Sequence, residues 1–129
     1  MRSSLIMGVF EKNLLGGPLK SCGLDPVTGV LRDGFCCAIS GDVGAHWVCA
    51  QVTSQFLEYS RSQGNDLITP RPEFDFPGLQ PGDNWCLCLS RWLESLEAGC
   101  APPIILEATN ERCLEMVQWE VFKSHQLKP

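Results

Sequence analysis

Two thiols one residue apart, Cys86 and Cys88, lie between Trp85 and Trp92 behind a Pro81-Gly82-Asp83 turn. In a strand, side chains at i and i+2 share a face with Cα atoms roughly 6.5 to 7 Å apart, so two thiolates can hold one metal or cycle one disulfide. On a helix they would point apart. The separation is at the long limit for a direct bridge, which favours a shared ligand. Cys22, Cys36, Cys37 and Cys49 add further sulfurs, and Cys36, Cys49, Cys86, Cys88 and His46 make up the candidate metal cluster. Soft thiolates suit zinc, copper(I) or an iron–sulfur centre better than magnesium or calcium. The paired C-x-x-C spacing of a zinc ribbon does not occur. The competing explanation is that reduced cysteines pack as small hydrophobes in a core strand.

His46 follows Asp42-Val43-Gly44, where Asp42 can orient the ring through one nitrogen and leave the other as a ligand or general base. A histidine bonded to a loop carbonyl is the plainer alternative. Paired with Cys49 or Cys36 it would activate a thiol, although no thiol-protease or C-x-x-C oxidoreductase signature accompanies it. A second candidate site is a small-molecule pocket between residues 66–82 and a strand at 84–89, with Asp66, Arg71, Trp85 and Arg91 as its polar and aromatic groups. Each guanidinium there would bind an anion or stack on a tryptophan. Asp33, Asp66 and Asp83 adjoin Gly or Asn, so each also has the character of a turn-capping carboxylate. Gly16-Gly17 and Gly82 lack the spacing and the Lys-Ser/Thr ending of a phosphate loop.

The elements that must position these groups follow from local pattern. Trp47–Val52 is rich in strand formers, and Thr53 is placed to cap a helix from Ser54 to about Gln63 that buries Phe56, Leu57 and Ser60 and stops at Gly64-Asn65. Residues 66–82, with Pro70, Pro72, Pro77 and Pro81, read as a long ordered loop pinned by Leu67, Phe74, Phe76 and Leu79. A strand over Asn84–Leu89 leads to a helix from Ser90 to Ala98 that buries Trp92, Leu93 and Leu96 and ends at Gly99. Ile104–Ala108 resembles a third strand, a further helix starts near Thr109, and Trp119, Phe122 and Leu127 support a last amphipathic helix. The expected fold class is α+β, a small mixed sheet with helices packed on it and the Pro-rich loop over one end. Because each helix follows its strand, part of that sheet is expected to be parallel.

A chain of 129 residues is the size of one domain, so residues 1–12 are taken as a loose lead-in and 13–129 as a single domain. A net charge of −5, with ten scattered Lys and Arg, opposes nucleic-acid binding. No apolar run is long enough to span a membrane and no signal-peptide pattern opens the chain. Together these point to a cytoplasmic protein. Eight cysteines without a signal peptide favour reduced thiols, a metal site or redox chemistry over a disulfide framework.

Several motifs together carry a family resemblance: Asn13-Leu14-Leu15-Gly16-Gly17-Pro18-Leu19, Arg32-Asp33-Gly34, Asp42-Val43-Gly44 with His46, Gly64-Asn65-Asp66-Leu67, Phe76-Pro77-Gly78-Leu79, and Pro81-Gly82-Asp83 with Trp85-Cys86-Leu87-Cys88. From about Asn13 onward the chain resembles a widespread family of small proteins catalogued as a domain of unknown function. The resemblance covers Cys22, Cys36, Cys49, Cys86, Cys88, His46 and Asp42, whereas Cys37, Cys100 and Cys113 depart from it. It implies no activity. The functions left open are a cysteine-rich metal-binding or thiol-redox module, a small-molecule enzyme using the 66–82 pocket, and a non-catalytic protein that binds a protein partner or another copy of itself.

Overall fold

Val48–Gln51 (β1) and Asn84–Leu87 (β2) pair as an antiparallel ladder in which Cys49 stands opposite Cys86 and Ala50 opposite Trp85. The structure is a computed structural model and describes residues 11–128. The parallel pairing expected from sequence does not form between these two strands. After β1 the chain makes helix α1 (Ser54–Ser62), and the 66–82 loop then carries it back to the end of the sheet where β1 stopped. There Val52 and Asp83 meet, with Val52 N–H bonded to the Asp83 carbonyl (2.9 Å) and Gly82 N–H to the Val52 carbonyl (2.8 Å). Strand β2 must therefore run against β1.

The α+β class holds, with three α-helices and this two-stranded sheet among the described residues. The third run contributes less than a strand. Only Ile104 bridges, antiparallel to Ala50 and parallel to Gln126, because Pro102 and Pro103 offer no N–H donors before it and Leu106–Ala108 wind into a 3-10 turn after it. Helix α1 begins where Thr53 Oγ1 accepts the Phe56 N–H (3.1 Å), and it buries Phe56, Leu57 and Ser60. Helix α2 (Leu89–Glu97) follows β2 after Cys88, buries Leu89, Trp92 and Ser95, and leaves Leu93 and Leu96 partly covered. Asn110 caps a 3-10 turn over Glu111–Glu115, and α3 (Trp119–Ser124) closes the described chain by burying Phe122.

The core centres on Trp92, whose ring stacks on Phe122 at 5.5 Å between centroids and whose indole N–H reaches the Pro102 carbonyl (3.1 Å). Full burial of each such large apolar side chain is worth about 1.5–3 kcal/mol, so β2, α2 and α3 hold one another. Residues 1–10 of the expected lead-in lie outside the described residues. Glu11 and Lys12 are built in: the Glu11 carboxylate accepts the Ala38 N–H (2.8 Å) and the Asn110 amide (3.0 Å), and Lys12 bridges Pro18. In the long loop Leu67, Phe76 and Leu79 pack inward as expected. Phe74 does not. It is 69% exposed, because a tight hairpin from Arg71 to Phe76, turned through Asp75 at φ +52°, carries it outward.

Candidate functional site: a cysteine cluster beside a cleft

Cross-strand neighbours in an antiparallel pair place their side chains on one face, so Cys49 of β1 and Cys86 of β2 project together. They do not bond each other. Cys22 bonds Cys49 and Cys36 bonds Cys86, with Cα separations of 5.6 and 5.4 Å, so both ends of the turn-rich 22–36 segment are fastened to the ladder. The four are buried as one group with Ala108, and Ile105 packs beside them. The sulfurs of Cys22, Cys36 and Cys49 lie within 4.8 Å of one another.

Two buried threonines complete the frame. The Cys86 N–H is directed away from β1 and donates to Thr28 Oγ1 (2.8 Å), and the Cys49 N–H donates to Thr109 Oγ1 (3.0 Å). Asn110 donates to the Cys36 carbonyl (3.1 Å), and Cys22 and Gly34 are joined through their backbones. Cys22, Thr28, Thr109 and Asn110 were outside the candidate set read from sequence. The signal for Cys22 was its position, with Cys36, at the two ends of a segment too rich in turns to hold itself in place.

Cys88 and His46 are not members of this sulfur group. Strand β2 ends at Leu87, and Cys88, at the entrance of α2, shares a hydrogen bond with Ser90 (3.1 Å) on the surface. Cys37, Cys100 and Cys113 are unpaired and buried. Burial pushes the Cys113 thiol up to about 12, and it raises Cys37 as well, with the Glu11 carboxylate adding to the effect. Such thiols are inert at neutral pH.

Beside the cluster lies an open cleft of about 470 Å³, reached by His46, Arg32, Asp66, Arg71, Trp85 and one edge of Cys86. His46 is held by one carboxylate twice, its backbone N–H donating to Asp42 Oδ2 (2.9 Å) and its Nδ1 bonded to Asp42 Oδ1 (2.8 Å). The Asp42 side chain is only 5% exposed, whereas that of His46 is 42% exposed. Gly44 lies under the ring, where a Cβ would stand 2.6 Å from Cε1. Asp66 turns its carboxylate inward on its own loop, accepting from the Thr69 hydroxyl (2.6 Å) and the Ile68 and Thr69 N–H groups, and these bonds hold its pKa below the usual value. Arg91 is engaged with the Gln63 carbonyl (3.1 Å) and Glu94 (3.3 Å), so it ties α1 to α2 beside a smaller cavity that Cys88 also lines. Of the four residues in the sequence-derived pocket, Asp66, Arg71 and Trp85 meet in the larger cleft. The tryptophan stacking considered for Arg71 and Arg91 falls instead to Arg32 over Trp85 (5.2 Å) and Arg112 over Trp47 (5.4 Å).

Among the described residues no helix is long and apolar enough to cross a membrane. No curated protein matches the chain. Residues 12–126 match the model of a family described as "Uncharacterized protein conserved in bacteria (DUF2237)", and the chain belongs to that family.

Proposed function

We propose that this protein is a thiol module built on Cys22, Cys36, Cys49 and Cys86, a pair of disulfides when oxidised and a four-thiolate seat for zinc when reduced. The observation that carries this reading is the meeting of three sulfurs within 4.8 Å, with Cys86 bonded to one of them. A tetrahedral zinc with Zn–S bonds of about 2.3 Å holds its sulfurs roughly 3.8 Å apart. Opening each bridge by rotation about the cysteine side chains therefore brings the sulfurs into the range a zinc ion spans. Each disulfide takes two electrons and two protons from a thiol reductant, which leaves as its own disulfide. Zinc then displaces the protons of the thiols it binds. Soft sulfur ligands favour zinc over magnesium or calcium. Cys36, Cys49 and Cys86 keep the role read for them in the sequence, and Cys22 takes the place given there to Cys88 and His46.

The test is zinc content measured by atomic emission on oxidised protein and on protein reduced with dithiothreitol, freed of reductant and given zinc. Reduced protein should carry one zinc per chain and oxidised protein none. Cys22→Ser and Cys49→Ser should each lose that zinc, and Cys88→Ser should retain it. A folded chain whose four additional thiols titrate fully yet take up no zinc overturns the metal half of the proposal. Failure of glutathione disulfide to restore the two original bridges, read by peptide mapping, overturns the redox half.

A further inference from the structure

The cleft beside the cysteines has a chemistry of its own. Its two acids are already engaged, Asp42 with His46 and Asp66 with Thr69 and the adjoining N–H groups. Its two guanidiniums are not neutralised. Neither Arg32 nor Arg71 forms an ion pair among the described residues, in a chain whose net charge is −5. Arg32 donates to the Gly29 carbonyl (2.6 Å) and lies over the Trp85 ring, which leaves further N–H groups for a ligand. Arg71 is set at the root of the 71–76 hairpin by reciprocal backbone bonds with Phe76 (2.8 and 3.1 Å). Between these cations Phe76 and Trp85 meet at 5.2 Å and give the cleft an aromatic wall.

His46 supplies the third element. With Asp42 ionised, the ring proton resides on Nδ1, and Nε2 has a free lone pair with no partner among the described residues. Gly44 beneath the ring and Asp42 behind it fix its direction before any ligand arrives.

From this arrangement we infer that the cleft is a binding site for a small hydroxylated organic acid with an apolar or aromatic body. Arg32 and Arg71 hold its carboxylate or phosphate, Trp85 and Phe76 cover the body, and His46 Nε2 accepts a hydrogen bond from its hydroxyl. The volume of about 470 Å³ is that of a small-molecule site. The site does not depend on the thiol chemistry proposed above, and its test is run with both disulfides intact.

Binding of mandelate, phenylacetate, benzyl alcohol and phenyl phosphate to the full chain, followed by calorimetry and by the ring ¹⁵N resonances of His46, separates the contributions. Mandelate should bind best and shift Nε2, whereas phenylacetate, without the hydroxyl, should bind more weakly and leave Nε2 in place. Benzyl alcohol, without the acid, should bind at least roughly tenfold more weakly than mandelate. Phenyl phosphate matching or exceeding phenylacetate would identify the preferred acid as phosphate, and the reverse order as carboxylate. Arg71→Ala should cost mandelate roughly tenfold in affinity, and His46→Phe should abolish the difference between mandelate and phenylacetate. Benzyl alcohol binding as well as mandelate, no binding of any acid at millimolar concentration, or full mandelate affinity in a folded Arg71→Ala, Arg32→Ala double variant would overturn the inference.

Discussion

Thr28 and Thr109 are the residues on which the cysteine frame depends most directly. In a two-stranded ladder half of the backbone N–H groups point away from the partner strand, and inside a core they have no water to bond. Those of Cys86 and Cys49 are in this position, and each finds a threonine hydroxyl with no exposed surface of its own. The hydroxyl is needed there as an acceptor. Thr28→Val keeps the shape of the side chain and leaves the Cys86 N–H unsatisfied, so it should destabilise the fold by about 1–3 kcal/mol. Urea unfolding reads this as a lower midpoint at unchanged slope. Thr28→Ser should recover most of the loss, and a Thr28→Val midpoint equal to that of the parent chain would mean that the N–H finds another acceptor.

At the scale of elements, helix α1 is the clearest case of local control. Thr53 has extended backbone angles, its hydroxyl accepts the Phe56 N–H, and Gln63 ends the helix before Gly64 at φ +89°. Thr53→Ala should therefore cost about 1 kcal/mol, measured as a fall in thermal or urea stability, with Thr53→Asp retaining most of it. A cap that proves silent would place the start of α1 under the control of packing by Phe56 alone. Because an apolar face and a stop are local signals, joined in α1 by a cap, α1 and α2 were legible in the sequence to within a residue or two. The pairing of β1 with β2 was not. Its direction depends on where the 66–82 loop returns the chain, and that is settled by contacts such as Val52 with Asp83, 31 positions apart, which no periodicity records. The partners of the cysteines were hidden for the same reason: four cysteines admit three pairings, and the choice depends on how the 22–36 segment lies against the ladder, with Cys22 at Cys49 and Cys36 at Cys86. Asp42 orienting His46 was legible because the two are four residues apart. Arg32 was missed as a member of the cleft because it arrives from the disulfide-fastened segment, far from the loop that supplies Arg71.

For the molecule as a whole, the cysteines separate by environment, and that separation sets a dependence on pH. Cys113 has no exposed surface and its thiol is pushed from 9.0 to about 12 by burial, while Cys37 and Cys100 are raised by the same cause. In the unfolded chain these thiols lose their protons at their ordinary values, so above about pH 9 the folded chain holds more protons than the unfolded one. The sign follows directly: stability is fully present below that pH and falls as the pH rises, by up to about 1.4 kcal/mol per pH unit for a thiol held as far up as Cys113. For Cys113 the loss accumulates until the pH reaches its folded value. Urea midpoints at pH 7, 9 and 10, measured on a Cys88→Ser background to remove the surface thiol that would exchange with the bridges, should decline across the last two. Adding Cys113→Ala should lower stability at pH 7 by opening a cavity and should make the alkaline decline shallower by the share of one thiol. Parallel declines with and without Cys113 would show that this thiol ionises as readily in the folded chain as in the unfolded one. Its burial would then be incomplete, and the packing of the 111–115 turn against the core looser than the structure describes.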